Sequence, residues 1–196
     1  LARMLEVLEQ VLLSFLEENN KVPAKIIFAS TISVYGEKYH QSVYNEDSKK
    51  KPFSPYAVTK LDAEQYLIDN FADKCWILRF APVYSPDFLL NINRRIRIGS
   101  WYYRVGKISR KLSLCSIKNI RAVVEAIIED KIPADIYNIS DPKEYTYDEL
   151  LRWQKANWVF PIPVLAIKLL YYLGKAMNST FLKENTVKLI SDNVFP

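Results

Sequence analysis

Apolar residues along the chain recur with two periods. Leu5, Leu8, Leu12, Phe15 and Leu16 return every three or four residues and predict a helix over residues 1–18, with Met4, Val7, Val11 and Leu13 widening its apolar surface. Lys25-Ile-Ile-Phe-Ala29 is a short apolar run that ends in hydroxyls at Ser30 and Thr31, the pattern of a buried parallel strand. A polar connector, Asn45 to Lys51, leads to Ser54-Pro55, an N-cap followed by proline at the first helical position, and predicts a helix from 55 to about 71. Cys75 to Phe80 predicts the next strand. Residues 119–129 carry Ile120, Val123, Val124, Ile127 and Ile128 at helical spacing, and 135–139 predict another strand. Thr146 and Glu149 form a capping box ahead of Leu150, Leu151 and Trp153. Strands alternating with helices predict an α/β fold built on a doubly wound parallel sheet.

Composition fits a globular chain. With 196 residues, 49% of them hydrophobic, there is apolar material for one core or somewhat more. The longest apolar stretch, Trp158 to Gly174, is broken by Pro161, Pro163 and Lys168; it reads as an amphipathic helix covering a pocket rather than a membrane anchor. Cys75 and Cys115 match no metal or redox spacing and read as reduced core cysteines of a cytoplasmic protein, with no metal site expected. His40, the single histidine, lies in a polar loop and reads as a surface residue.

Charge is unevenly placed. No acidic residue occurs between Asp87 and Glu125, yet nine basic residues fall there, from Arg94 to Arg121; the other 18 Lys and Arg are outnumbered by 22 Asp and Glu. The chain's net charge of +5 therefore comes from this one segment, which calls for an anionic ligand. Trp101-Tyr-Tyr103 within it offers faces for stacking on a base or for a core. A single-stranded nucleic acid is the competing partner, but no RNA-binding motif accompanies these residues, so no nucleic acid is expected.

The candidate chemistry lies where the first strand meets the helix at 55. Tyr56 and Lys60 stand at i and i+4 on one face of that helix, beside the hydroxyls of Ser30, Thr31 and Ser33. A tyrosine titrates near pH 10, so its use as a base near pH 7 requires lowering its pKa by about three units, roughly 4 kcal/mol. An ammonium one turn away, joined by the positive charge of an oxidised nicotinamide, favours the phenolate. Thr31 could share the proton by bonding the same substrate oxygen. The bland reading is a surface aromatic beside a solvated lysine; the strand, hydroxyls and helix cap together argue against it.

At these residues the chain resembles the extended short-chain dehydrogenase/reductases, the NAD-dependent epimerase/dehydratase family. The resemblance rests on Phe28-Ala-Ser-Thr-Ile-Ser-Val-Tyr-Gly36, Ser54-Pro-Tyr-Ala-Val-Thr-Lys60 and Ile77-Leu-Arg-Phe-Ala-Pro-Val-Tyr-Ser-Pro86, with Ile136–Ile139 and Thr146–Leu150 similar to a later strand and helix. It implies a partial Rossmann-like sheet in residues 1–85 and a smaller, mainly helical substrate domain in 86–196, with 117–140 packing back on the first part. It implies Thr31, Tyr56 and Lys60 as catalytic residues, and Ser30, Tyr56, Lys60, Pro82 and Val83 against NAD or NADP. Ser33, Arg94, Arg95, Arg104 and Arg110 would bind a UDP- or dTDP-linked sugar, the arginines gripping its diphosphate.

Three departures from the family pattern matter. Only Gly36, Gly99, Gly106 and Gly174 occur, and they cannot make the glycine-rich turn that receives a pyrophosphate. The expectation is the C-terminal part of a longer enzyme, with a degenerate, non-binding relative as the other reading. Thr31 is followed by Ile32-Ser33 rather than the acid pair of sugar dehydratases, so dehydration is not expected. Epimerisation or 4-keto reduction remains, against a catalytically silent sugar-nucleotide binding or assembly module. Pro82, where the family often has an asparagine that contacts substrate, leaves the sugar open. Paired helices at 1–18 and 55–71, with Tyr66 and Leu67 on an outer face of the second, imply a homodimer; no membrane partner is expected.

Overall fold

The computed structural model describes residues 23–36, 43–107 and 110–195. The helix expected at 1–18, and with it half of the dimer surface, lies outside the described residues, as does His40. Strand β1 (Ile26–Thr31) runs into a 3-10 turn (Ile32–Tyr35) and is followed by helix α1 (Pro55–Phe71), strand β2 (Cys75–Phe80) and the two-residue β3 (Val83–Tyr84). Helix α2 (Leu90–Ile96), β4 (Arg97–Ile98), β5 (Trp101–Val105), β6 (Lys111–Leu112) and β7 (Cys115–Ser116) carry most of the basic segment, which ends in the next helix. Helix α3 (Ile117–Ile128), β8 (Ile136–Ile139), β9 (Tyr145–Thr146), α4 (Tyr147–Trp153), β10 (Val159–Ile162), α5 (Val164–Ala176) and α6 (Thr180–Ile190) complete the chain.

Strands β1, β2 and β8 form a parallel sheet in that order. The central strand β2 is buried along almost its whole length because both its faces are covered. On one face, α1 lays Leu67 over Cys75 and Ile77 with Phe28 alongside. On the other, Ile127 of α3 packs with Trp76 and Leu78. Helices on both faces make the sheet doubly wound. The caps explain where the helices start: Ser54 accepts the amide of Ala57 with Pro55 at the first position of α1, and both halves of the Thr146–Glu149 capping box are in place on α4.

Three expectations change. Leu67 is a sheet-facing core residue at 2% exposure and Tyr66 packs beside it, while the outward positions Asp62, Gln65 and Asp69 are polar. The apolar outer face expected of α1 is therefore absent where those residues stand. The stretch from Trp158 is a strand before it is a helix: β10 pairs in parallel with β5, and α5 begins only after Pro163. Prolines 161 and 163 cannot donate to a helical ladder but fit an edge strand and a helix entrance. Third, α5 packs along α6 and lines none of the main cavity; α6 does that instead.

A second core, built from Ile92, Ile96, Leu112, Leu114, Tyr147 and Leu150, joins α2, α4 and the short ladders and sets the basic segment opposite the end of β1.

Candidate active site

Strand β1 ends at Thr31, whose extended backbone caps the 3-10 turn and whose Oγ1 accepts the amide of Ser33 at 3.2 Å. Ile32 and Val34 turn inward, which leaves Thr31 and Ser33 half-buried between them. The turn closes at Gly36, with φ 62°, where a Cβ would fall 1.7 Å from the carbonyl oxygen of Lys51. Only glycine fits there.

Across from this turn, Tyr56 stands in the first turn of α1, 49% exposed. Lys60, one turn on, donates from Nζ to the Ala29 carbonyl at 2.8 Å and lies 4.7 Å from the Phe28 ring centroid. It therefore braces β1 from the side and does not line the cavity. Burial pushes the Tyr56 phenol above its ordinary value. Burial also lowers Lys60, an effect that Glu64 opposes. This differs from the expected lowering of Tyr56 by Lys60: the ammonium points at a backbone carbonyl, and desolvation sets the phenol's proton affinity.

A cavity of about 520 Å³ opens above these groups. Ser30, Thr31, Ser33 and Tyr56 line one wall, Pro82 and Val83 continue it beyond β2, and Arg94 and Arg95 of α2 face it from the basic segment. Arg95 carries the clearest signal on that wall: its Nη1 is buried and has no hydrogen-bond partner. A guanidinium donor held out of water without an acceptor is costly and suits an anionic ligand.

Arg104 and Arg110 are not on this cavity. They border an adjoining cleft of about 10 Å³, room for about one water, with Arg95 and Tyr147. Arg104 lies 3.3 Å from Asp148 and also donates to the Lys107 carbonyl. The sequence reading missed Asn91, Asn185 and Lys188, which line the cavity together with Tyr103 of the aromatic triplet. Asn185 and Lys188 stand three apart on one face of α6, a spacing that would have flagged them had that helix been assigned to the site. Burial pushes the Tyr103 phenol up to about 12, so it stays protonated at neutral pH, while Trp101 points outward at 73% exposure. Trp101 and Tyr103 share one face of β5, so position along the strand divides them: Trp101 stands at its start, beside the Gly99–Ser100 turn, and Tyr103 at its middle.

No cluster of three metal-ligating side chains occurs among the described residues. Both cysteines are free and buried.

Known proteins share the fold and part of the sequence. A 63-residue stretch is 46% identical to the uncharacterized UDP-glucose epimerase YtcB of Bacillus subtilis (strain 168), covering 31% of this chain and 19% of that protein. UDP-glucuronic acid 4-epimerase from Bacillus cereus, solved in complex with NAD, superposes with a TM-score of 0.54 at 26% identity over 71% of this chain and 50% of its own. A functionally unknown conserved protein from Silicibacter pomeroyi shares the fold, with a TM-score of 0.63 at 17% identity over 94% of this chain and 63% of its own. The chain thus spans about half the length of the solved epimerase and a fifth of the curated relative. Residues 4–140, well over half of the chain, match the model of the NAD dependent epimerase/dehydratase family, to which this chain belongs.

Proposed function

We propose that the protein is an NAD(P)-dependent nucleotide-sugar epimerase or 4-keto reductase and that this chain carries its proton-transfer and diphosphate-binding residues. The observation that carries the reading is the opposition, across one cavity, of the hydroxyls of Thr31, Ser33 and Tyr56 to Arg94 and Arg95, with the Arg95 Nη1 donor buried and unpartnered. The family resemblance to UDP-sugar epimerases supports the same substrate class. The sugar nucleotide is UDP- or dTDP-linked in this proposal.

The residues fit the nicotinamide end of the cofactor. Lys60, behind the cavity wall, has three ammonium donors and spends one on Ala29, leaving two for a ribose that reaches past that wall; Ser30, Pro82 and Val83 line the cavity itself. Bound there, NAD would accept and return a hydride. With the positive charge of an oxidised nicotinamide offsetting the burial that raises its phenol, Tyr56 would take the proton of the sugar hydroxyl as that carbon is oxidised, Thr31 donates to the same oxygen, and Tyr56 gives the proton back when the carbonyl is reduced. In an epimerase the ketone turns over between the two halves; in a reductase only the second half occurs. Ser33 bonds the sugar, and Arg94 and Arg95 hold the diphosphate, with Arg104 and Arg110 as an outer positive field. Dehydration is left out because Ile32, beside Thr31, is buried and no carboxylate among the described residues lines the cavity.

Residues 1–85 would form the dinucleotide side and 86–196 the sugar side, with 117–140 returning to the sheet, as the pairing of β8 with β2 supports. A homodimer and a cytoplasmic site complete the proposal. Free, buried thiols support the latter, and no helix among the described residues is long and apolar enough to cross a membrane.

Mass spectrometry of nucleotide co-purifying with the full-length protein, followed by turnover assays on UDP-glucose, UDP-glucuronate and dTDP-4-keto sugars, tests the reading. Bound NAD or NADP with interconversion of one of these sugars supports it; sugar-nucleotide binding without turnover would instead favour a silent binding module. Light scattering on the same preparation reports the dimer.

A further inference from the structure

One polar cluster lies directly beneath the cavity and, apart from Ser30, takes no part in the chemistry described. Glu64 stands two turns after Tyr56 and one after Lys60, at i+8 and i+4 on the same face of α1. Its carboxylate accepts the Ser30 hydroxyl and is gripped from the other side by Arg79, whose Nη2 reaches Oε2 at 2.7 Å and whose Nε reaches Oε1 and Oε2 at 3.1 and 3.2 Å. Both side chains are out of solvent, at 0% and 1% exposure. Ser30, Arg79 and Asn138 are register partners across β1, β2 and β8. Arg79 also donates from Nη1 to the Tyr35 hydroxyl at 2.9 Å, and Tyr35 donates to Asn138 Oδ1 at 2.6 Å.

Two successive turns of α1 therefore fasten two successive residues of β1. Lys60 holds the Ala29 carbonyl, and Glu64 holds the Ser30 side chain. Thr31 is the next residue, and the turn that follows it is tied at its far end, through Tyr35, to the same arginine. A buried ion pair is weak evidence for stability, since apolar residues of similar volume often serve as well. A geometric role explains why this pair occupies the row beneath Thr31.

We propose that Glu64, clamped by Arg79, is a positioning residue: it fixes the Thr31 hydroxyl relative to Tyr56 and sets a negative charge one helical turn from Lys60. The inference rests on the proposed hydride-transfer reading for its kinetic consequence, but not for its electrostatic one. The charged and polar groups around Lys60 are Glu64 on its own helix, the Ala29 carbonyl and Phe28 ring on β1, and Arg79 on β2 behind the carboxylate. Of these, Glu64 raises the lysine's proton affinity. Removing it lets burial lower that affinity further.

The test uses the full-length protein and two variants. Glu64→Leu/Arg79→Met removes both charges at once, so that neither is left buried alone and the fold survives; Ser30→Ala cuts the bond to β1 and with it one hydroxyl of the cavity wall. The double variant is expected to melt no lower than the wild type and to bind UDP within about threefold, while kcat falls at least tenfold with KM little changed. NMR titration of Lys60 is expected to move to lower pH. Ser30→Ala is expected to lower kcat by a smaller factor and to leave the Lys60 titration in place. A double variant with wild-type kcat, or with Lys60 titrating unchanged, would overturn the proposal, as would a kcat loss matched by lost UDP binding. If the wild type turns over no sugar nucleotide, the functional reading fails, and the Lys60 titration alone decides this inference.

Discussion

Beneath Thr31, Arg79 is fully buried and spends its donors on Glu64 and Tyr35; across the cavity, Arg94 is exposed and Arg95 keeps a buried donor without a partner. One region neutralises charge internally and the other leaves it for something from outside. The contrast separates two jobs that arginine does in the same molecule. A guanidinium whose geometry is exhausted by protein partners fixes backbone, and one that lines a cavity with a donor unused is available to a ligand.

The sharpest way to break the comparison is to remove one member of each kind of pair. Arg79→Met alone strands the Glu64 carboxylate in the interior and is expected to cost about 3–5 kcal/mol in urea unfolding, enough to unfold a marginal domain. Arg104→Met, whose Asp148 partner is at the surface, is expected to cost no more than about 1 kcal/mol. Equal losses would show that burial does not distinguish the two regions.

On the chemical side, Tyr56→Phe in the full-length protein is expected to reduce turnover by about 10²–10⁴-fold and to leave sugar-nucleotide affinity within a few-fold. Unchanged turnover would remove Tyr56 from its proposed role. On the binding side, Arg95→Ala is expected to weaken UDP binding by about 10–100-fold and flatten its salt dependence, the loss of one charged hydrogen-bonding group. Arg110→Ala, off the main cavity, is expected to change it by less than about threefold. An equal effect of the two would place the ligand in the adjoining cleft, and tight single-stranded RNA binding would reassign the basic segment altogether.

The smallest effect concerns a property the two regions share. Burial pushes the thiol of Cys75 up to about 11 and that of Cys115, with Asp141 adding to it, up to about 12. Both therefore stay protonated at pH 8, with roughly one molecule in a thousand or fewer carrying a thiolate. Neither is expected to react with an aromatic disulfide reagent in the native protein, and both are expected to react after unfolding. Fast reaction of one alone would locate a region that opens by itself.

The sequence was most legible where a signal is local. Ser54-Pro55, the Thr146–Glu149 box and the apolar run of β2 each depend on residues within a turn or two of each other, and each forms the element it predicts. The stretch from Trp158 was read as one helix because its apolar residues fit that period, but β5 was available to pair with its first half. A strand partner some 57 residues away is not visible in a local pattern, and tertiary pairing outweighs propensity there. Leu67 illustrates the same limit, since its burial depends on where the sheet lies.

By itself, then, the sequence determined the family, the parallel α/β order, and the helical face that carries Tyr56, Lys60 and Glu64 in line, because spacing along a helix is fixed by its geometry. Only the tertiary structure decided which basic residues meet the cavity, that Lys60 braces β1 instead of reaching Tyr56, and that Glu64 and Arg79 close over Ser30. Charge in a sequence carries a sign and a position. Whether it is spent on a partner or kept for a ligand depends on the donors, acceptors and water excluded around it, and those are brought together by the fold.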